Sequence, residues 1–81
     1  MSNLEIIKQL EKVFREVFDN DDIHLSESTN SEDIEAWDSL THIQLVSEIQ
    51  KTFGIRINAR EMMTWDKVGD MVETIKAKTK E

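Results

Sequence analysis

The chain has 81 residues, enough for one small domain over positions 1–81, and carries no cysteine, no proline and a formal charge of -7. The missing thiols exclude a disulfide framework and thiolate metal sites, two histidines offer little to any other metal centre, and net acidity opposes a nucleic-acid-binding role. No apolar run approaches the roughly 20 residues that span a bilayer, and Met1-Ser2-Asn3 lacks the start of a signal peptide, so a cytoplasmic protein without membrane insertion is expected.

From Asn3 to Asp19, apolar residues recur in steps of three and four: Leu4, Ile6, Ile7, Leu10, Val13, Phe14, Val17 and Phe18. That spacing predicts a first helix with a wide apolar face. Asp19-Asn20-Asp21-Asp22 ends it, because these side chains compete for backbone hydrogen bonds and suit turns. A calcium loop beginning at Asp19 would want glycine at its sixth position and glutamate at its twelfth; His24 and Asn30 stand there instead.

Charge is concentrated next. Between Asp19 and Leu40 lie eight acids and no lysine or arginine, while the rest of the chain sets nine acids against ten bases. Such a block is ordinarily a solvated surface. Residues 22–37 show no sustained period and read as a long loop, with Ile23, Leu25 and Ile34 as its anchors to the core and room for one short helical turn. A connection of this length in a small domain is more often functional than accidental.

The second helix is expected to start behind Asp38, a good N-cap, and to run through Leu40, Ile43, Leu45, Val46, Ile49 and Phe53 to a stop at Gly54. Ile55 and Ile57 follow as extended, core-facing residues. Asn58-Ala59-Arg60-Glu61 has the form of a capping box and opens a short third helix through Met62 and Met63. Thr64 is expected to cap the last helix, with Asp66 in its first turn, Val68, Met71, Val72 and Ile75 as its apolar stripe, and Lys76, Lys78 and Lys80 near its end. The expected fold is all-α: a small four-helix bundle of three main helices and a short third one, with a long loop between the first two.

Ser39 is the position best placed for chemistry. It falls in the first turn of a helix, near unsatisfied amides and the positive end of the dipole, where a phosphate ester is favoured by roughly 0.3–1 kcal/mol. The plain alternative is a helix-start serine without a role. Asp38-Ser39-Leu40, opening the second helix after a long loop, resembles the phosphopantetheine attachment motif of the acyl carrier proteins. Length, acidity, helix order and the stretch from Leu45-Val46 through Ile49 to Phe53-Gly54-Ile55 extend the resemblance over nearly the whole chain.

The resemblance implies a carrier rather than an enzyme. Ser39 would receive 4'-phosphopantetheine from coenzyme A through a separate phosphopantetheinyl transferase, and acyl, aminoacyl or peptidyl cargo would ride as thioesters on the arm. Asp38 would cap the helix and hold the attachment site, Leu40 would complete the motif, and Trp37, His42, Ile43 and Met62 would contact the arm or a partner. Partners would be the transferase, a loading enzyme and downstream acyl-processing enzymes, and the carrier itself a monomer. Met63 and Met71 are weighed between lining a cavity for an aliphatic guest and simple core packing.

One departure shapes the reading. Fatty-acid-synthesis carriers have several acids along the second helix, whereas this chain places Thr41, Gln44, Ser47, Gln50 and Lys51 there, with Glu48 alone acidic. A stand-alone bacterial carrier of a specialised pathway fits better: polyketide, nonribosomal peptide, modified sugar or another acyl transfer. Trp37 resembles such carriers too, as an aromatic anchor for a partner or as a loop residue folded onto the core. His42, three positions after Ser39, invites a hydrolytic triad with Asp38, but no oxyanion loop accompanies it; it is expected instead as an exposed neighbour of the arm. The other reading is a noncatalytic acidic helical interaction module without a prosthetic group, for which Ser39 would be dispensable.

Overall fold

In the computed structural model, which describes residues 2–79, helix α1 (Asn3–Phe18) starts behind Ser2. The Ser2 hydroxyl accepts the Glu5 amide while the Glu5 carboxylate reaches back to the Ser2 amide, a reciprocal cap that the periodicity does not reveal. Asp19 ends the helix at φ 50°, a left-handed conformation that Asp tolerates better than most residues, and the amides of Asp19 and Asn20 turn back onto the Glu16 and Arg15 carbonyls.

Helix α2 (Ser39–Phe53) is capped by Asp38 and closed by Gly54 at φ 64°, as its sequence predicts. Ile57 is then buried and Ile55 partly so, with the Ile57 amide donating to Gln50 Oε1 at 2.8 Å. Helix α3 (Ala59–Met63) carries the full Asn58–Glu61 capping box. Helix α4 (Val68–Thr79) supplies Val68, Met71, Val72 and Ile75 to a core completed by Ile6, Leu10 and Phe14 of α1 and Leu45 and Ile49 of α2, all without solvent exposure. Met71 is thus core packing, Met62 is half-buried and Met63 is exposed. The four-helix architecture matches the expectation.

The start of α4 does not. Thr64 closes α3, its hydroxyl donating to the Glu61 carbonyl at 2.7 Å, and Asp66 lies outside α4. The amides of Val68 and Gly69 are taken instead by the carbonyls of Thr29 and Glu27, each at 2.8 Å, and the Asp70 carboxylate accepts the amides of Asp66 and Lys67. An isolated antiparallel bridge between Asn30 and Lys67 continues this seam. The acidic loop therefore provides the cap that Thr64 was expected to provide.

That loop is pinned at its other end as well. Arg15 Nε donates to the Ile23 carbonyl at 2.9 Å, and Glu11 Oε2 accepts the Leu25 amide at 2.8 Å. Ile23 is buried, and Leu25 and Ile34 pack partly buried against the core, as expected. Hydrogen-bonded turns at 26–29, 30–33 and 34–37 replace the short helical turn the loop had room for. Lys76 and Lys78 stand in the last turn of α4, where Lys78 pairs with Glu61 at 3.0 Å; Lys80 lies outside the described residues. No helix among the described residues is long and apolar enough to cross a membrane.

Gly69 marks the closest approach of loop and helix. A Cβ there would sit 3.0 Å from the Glu27 carbonyl oxygen and 3.4 Å from its Cβ. Gly69→Val is expected to destabilise the domain by about 1–3 kcal/mol through overpacking, lowering Tm by roughly 4–24 °C in a thermal melt. A variant as stable as the wild type would show that the loop yields without cost.

Candidate functional site

The second helix begins with two interlocked hydrogen bonds. Asp38 Oδ1 accepts the Thr41 amide at 2.9 Å, and Thr41 Oγ1 accepts the Asp38 amide at 2.8 Å. The Thr41 hydroxyl lies 3.0 Å from the Ala36 carbonyl, to which it donates, so the chain is held on both sides of Ser39. Threonine thus performs here the reciprocal capping more often performed by glutamate or glutamine. Ser39 itself is exposed, and its hydroxyl engages no other group among the described residues.

The Thr41 amide holds the Asp38 carboxyl below its ordinary value of 3.8, against a smaller opposing effect of desolvation and with help from the Thr41 hydroxyl. A depressed folded-state pKa contributes stability that is present above the unfolded value and lost as pH falls through the folded one. Asp38→Asn keeps a capping oxygen but cannot titrate. Its thermal stability is expected to fall less steeply than the wild type's below pH 4, as read by circular dichroism melts between pH 6 and 2.5; parallel curves would remove Asp38 from the acid response.

Beside Ser39 lies an open groove of about 490 Å³. Its deeper lining is Trp37, His42, Met62 and Trp65, all buried or half-buried, and its exposed lining includes Ile43, Met63 and Asp66. Four residues expected at the site, Trp37, His42, Ile43 and Met62, are therefore brought together next to Asp38 and Ser39. Leu40 is not: it is 67% exposed and turned away from the groove lining.

His42 departs from the expected exposed position. Trp37 Nε1 donates to His42 Nδ1 at 3.0 Å, and because an indole N–H can only donate, Nδ1 must carry the lone pair. The ring proton is then on Nε2, which donates to the Met62 carbonyl at 3.4 Å. No lone pair is left to activate Ser39, so the triad fails on chemistry as well as geometry. Aromatic neighbours explain the burial: Trp65 meets the imidazole edge-on at 5.9 Å, and Phe14 meets Trp37 edge-on at 5.1 Å. Trp37 is thus folded onto the core.

Trp65 is the residue that sequence reasoning missed. It falls between two helices, outside either periodic stripe, and its burial depends on Thr74, which accepts its indole N–H at 3.0 Å. Every buried side-chain polar atom among the described residues has a partner. Parting α2 from α3 would break the His42–Met62 bond and leave the His42 Nε2–H and the Met62 carbonyl unpaired, at roughly 1–3 kcal/mol each. Each methylene buried in their place returns about 0.8 kcal/mol, so an aliphatic guest needs on the order of three to seven methylenes to break even.

The phosphopantetheine attachment site family matches residues 5–75 of the chain. The chain belongs to the acyl carrier protein family. It is 35% identical to the holo acyl carrier protein from Geobacter metallireducens, whose solution structure superposes with a TM-score of 0.83 over 89% of this chain and 83% of that one. A search of curated protein sequences gives no match.

The carrier is accordingly not an enzyme: it tethers acyl or aminoacyl groups through covalent 4'-phosphopantetheine on a serine and works with a phosphopantetheinyl transferase and acyl-processing enzymes. The site fits that group. It offers an unengaged hydroxyl at a helix N-terminus and, beside it, a groove within the 300–1,000 Å³ range typical of small-molecule sites.

Proposed function

We propose that Ser39 is the attachment residue, and that the chain is a stand-alone, monomeric cytoplasmic carrier forming a single domain over 1–81 and serving a specialised acyl- or aminoacyl-transfer pathway. The observation that carries this reading is the exposed, unengaged Ser39 hydroxyl, held at the start of α2 by the Asp38–Thr41 lock and opening onto the groove. Asp38 positions the helix start, and Trp37, His42, Ile43 and Met62 shape the surface beside it. When bound, the group supplies a terminal thiol on which cargo is held as a thioester.

The carrier's own residues explain why a separate transferase is needed. Ser39 Oγ would become the ester oxygen of a phosphodiester as the pyrophosphate P–O bond of coenzyme A breaks and adenosine 3',5'-bisphosphate leaves, and the hydroxyl proton must be taken up. His42 has no free lone pair, and the Asp38 carboxyl, held below its ordinary value by the Thr41 amide, is too weak a base. A base of the transferase therefore has to take the proton.

A specialised pathway is supported by where the charge sits. On α2, Glu48 is the lone acid and stands 3.9 Å from Lys51, which leaves that helix nearly neutral. The eight acids upstream line the loop leading to Ser39. Basic partners would be attracted to that loop, which α1 and α4 hold in place.

Incubating the folded protein with coenzyme A, magnesium and a broad-specificity phosphopantetheinyl transferase is expected to add one phosphopantetheine increment in intact mass, mapped to the peptide containing Ser39. Failure with several such transferases would favour the cofactor-free interaction module.

A further inference from the structure

His42 ties three parts of the molecule together. Its Nδ1 accepts from Trp37, which precedes α2; its Nε2 donates to the Met62 carbonyl on α3; and its ring rests against Trp65. Ser39 opens onto the groove between α2 and α3, and the His42–Met62 bond, braced by Trp37, spans that seam along the groove's deeper lining. Leu45, Ile49, Met71 and Ile75 are fully buried in the core, and Phe14 of that core backs Trp37 edge-on. The groove in front is open and partly polar, with Ser31, Asp38 and Asp66 among its lining.

We propose that the Trp37–His42–Met62 hydrogen-bonded latch closes the bundle to cargo, making His42 the residue that restricts this carrier to short acyl or aminoacyl groups kept at the surface. The inference rests on Ser39 being the attachment residue and adds the class of cargo. A short group gains too little apolar burial to displace a satisfied hydrogen-bonded row. It stays outside, accessible to partner enzymes without any opening of the bundle. His42 acts here as a positioning residue, through Trp37 and Met62, and touches no reacting atom.

The test loads wild type, His42→Leu and His42→Gln from acetyl-, hexanoyl- and decanoyl-coenzyme A with a promiscuous transferase, loading being verified by intact mass. Two properties are then read: the half-life of the thioester in neutral hydroxylamine, and the NMR signals of the Trp37 indole N–H and of the Leu45, Ile49, Met71 and Ile75 methyls. In wild type, acetyl and hexanoyl half-lives should agree within about threefold, since greater protection requires that most of the population be sequestered. The indole and methyl signals should not move with either cargo.

Gln can accept from Trp37 and donate to Met62, so His42→Gln should behave as wild type. His42→Leu can do neither, and should protect hexanoyl, which the wild type leaves exposed, as well as decanoyl by more than about threefold over acetyl while shifting the core methyls. Wild type that protects hexanoyl beyond that limit, with shifted core methyls, would overturn the proposal. So would His42→Leu that leaves decanoyl as exposed as acetyl. If the leucine variant does not fold, the wild-type length series and the glutamine variant decide alone. Absence of any mass increment would instead overturn the attachment reading beneath it.

Discussion

Ser39→Ala is expected to abolish phosphopantetheine loading completely while leaving the fold and its stability unchanged. The two halves of that result have separate physical causes. The Ser39 side chain is exposed and makes no hydrogen bond among the described residues, so its removal leaves no partner unsatisfied. Alanine is the best helix former, and a substitution of this kind stays within about 0.5 kcal/mol. Loading, by contrast, needs a hydroxyl oxygen at that place, and no neighbouring group can stand in for it.

Ser31→Ala is the informative control, because Ser31 is the other serine lining the groove. Intact mass after incubation with coenzyme A and the transferase should show one increment for wild type and Ser31→Ala, and none for Ser39→Ala. Circular dichroism melts should coincide for all three. Loading retained by Ser39→Ala would remove the assignment, and loss in the Ser31 variant alone would move it across the groove.

Phe14→Ala is expected to have the largest effect on stability. Phe14 is fully buried on α1, lies 5.8 Å from Phe18 and meets Trp37 edge-on at 5.1 Å. Removing a buried phenyl ring costs about 3–5 kcal/mol, the transfer loss plus the cavity. A domain of 81 residues has roughly 4–12 kcal/mol in all. The variant should therefore be close to unfolding, with Tm lowered by roughly 12–40 °C.

The consequence reaches the site, because Phe14 supports the indole that anchors His42. Urea titration followed by tryptophan fluorescence measures both effects, since Trp37 and Trp65 each report on the row. A loss below about 1 kcal/mol would mean that the core is not organised around this ring.

Much of this architecture is written locally. The capping pairs Asp38–Thr41 and Asn58–Glu61, the glycine stop at Gly54 and the apolar stripes of α1, α2 and α4 each involve residues at most four apart along one helix. Periodicity and capping chemistry carry that information without reference to the rest of the chain. Ser39 was legible for the same reason, as a serine one residue after an N-cap.

The start of α4 and the setting of His42 were not legible. The first amides of α4 are satisfied by carbonyls of residues 27 and 29, some forty positions earlier, so a local rule assigned the cap to Thr64. His42 was expected in solvent because neither of its neighbours on α2 explains burial; Trp37, Met62 and Trp65 do, and two of those lie twenty or more residues away. The sequence by itself determined the helices, the caps of α2 and α3 and the candidate attachment serine, because those depend on short-range backbone hydrogen bonding and helical period. Only the tertiary structure decided how the acidic loop caps α4 and how the bundle is latched beneath Ser39, because a buried donor is satisfied by whatever acceptor the fold brings to it.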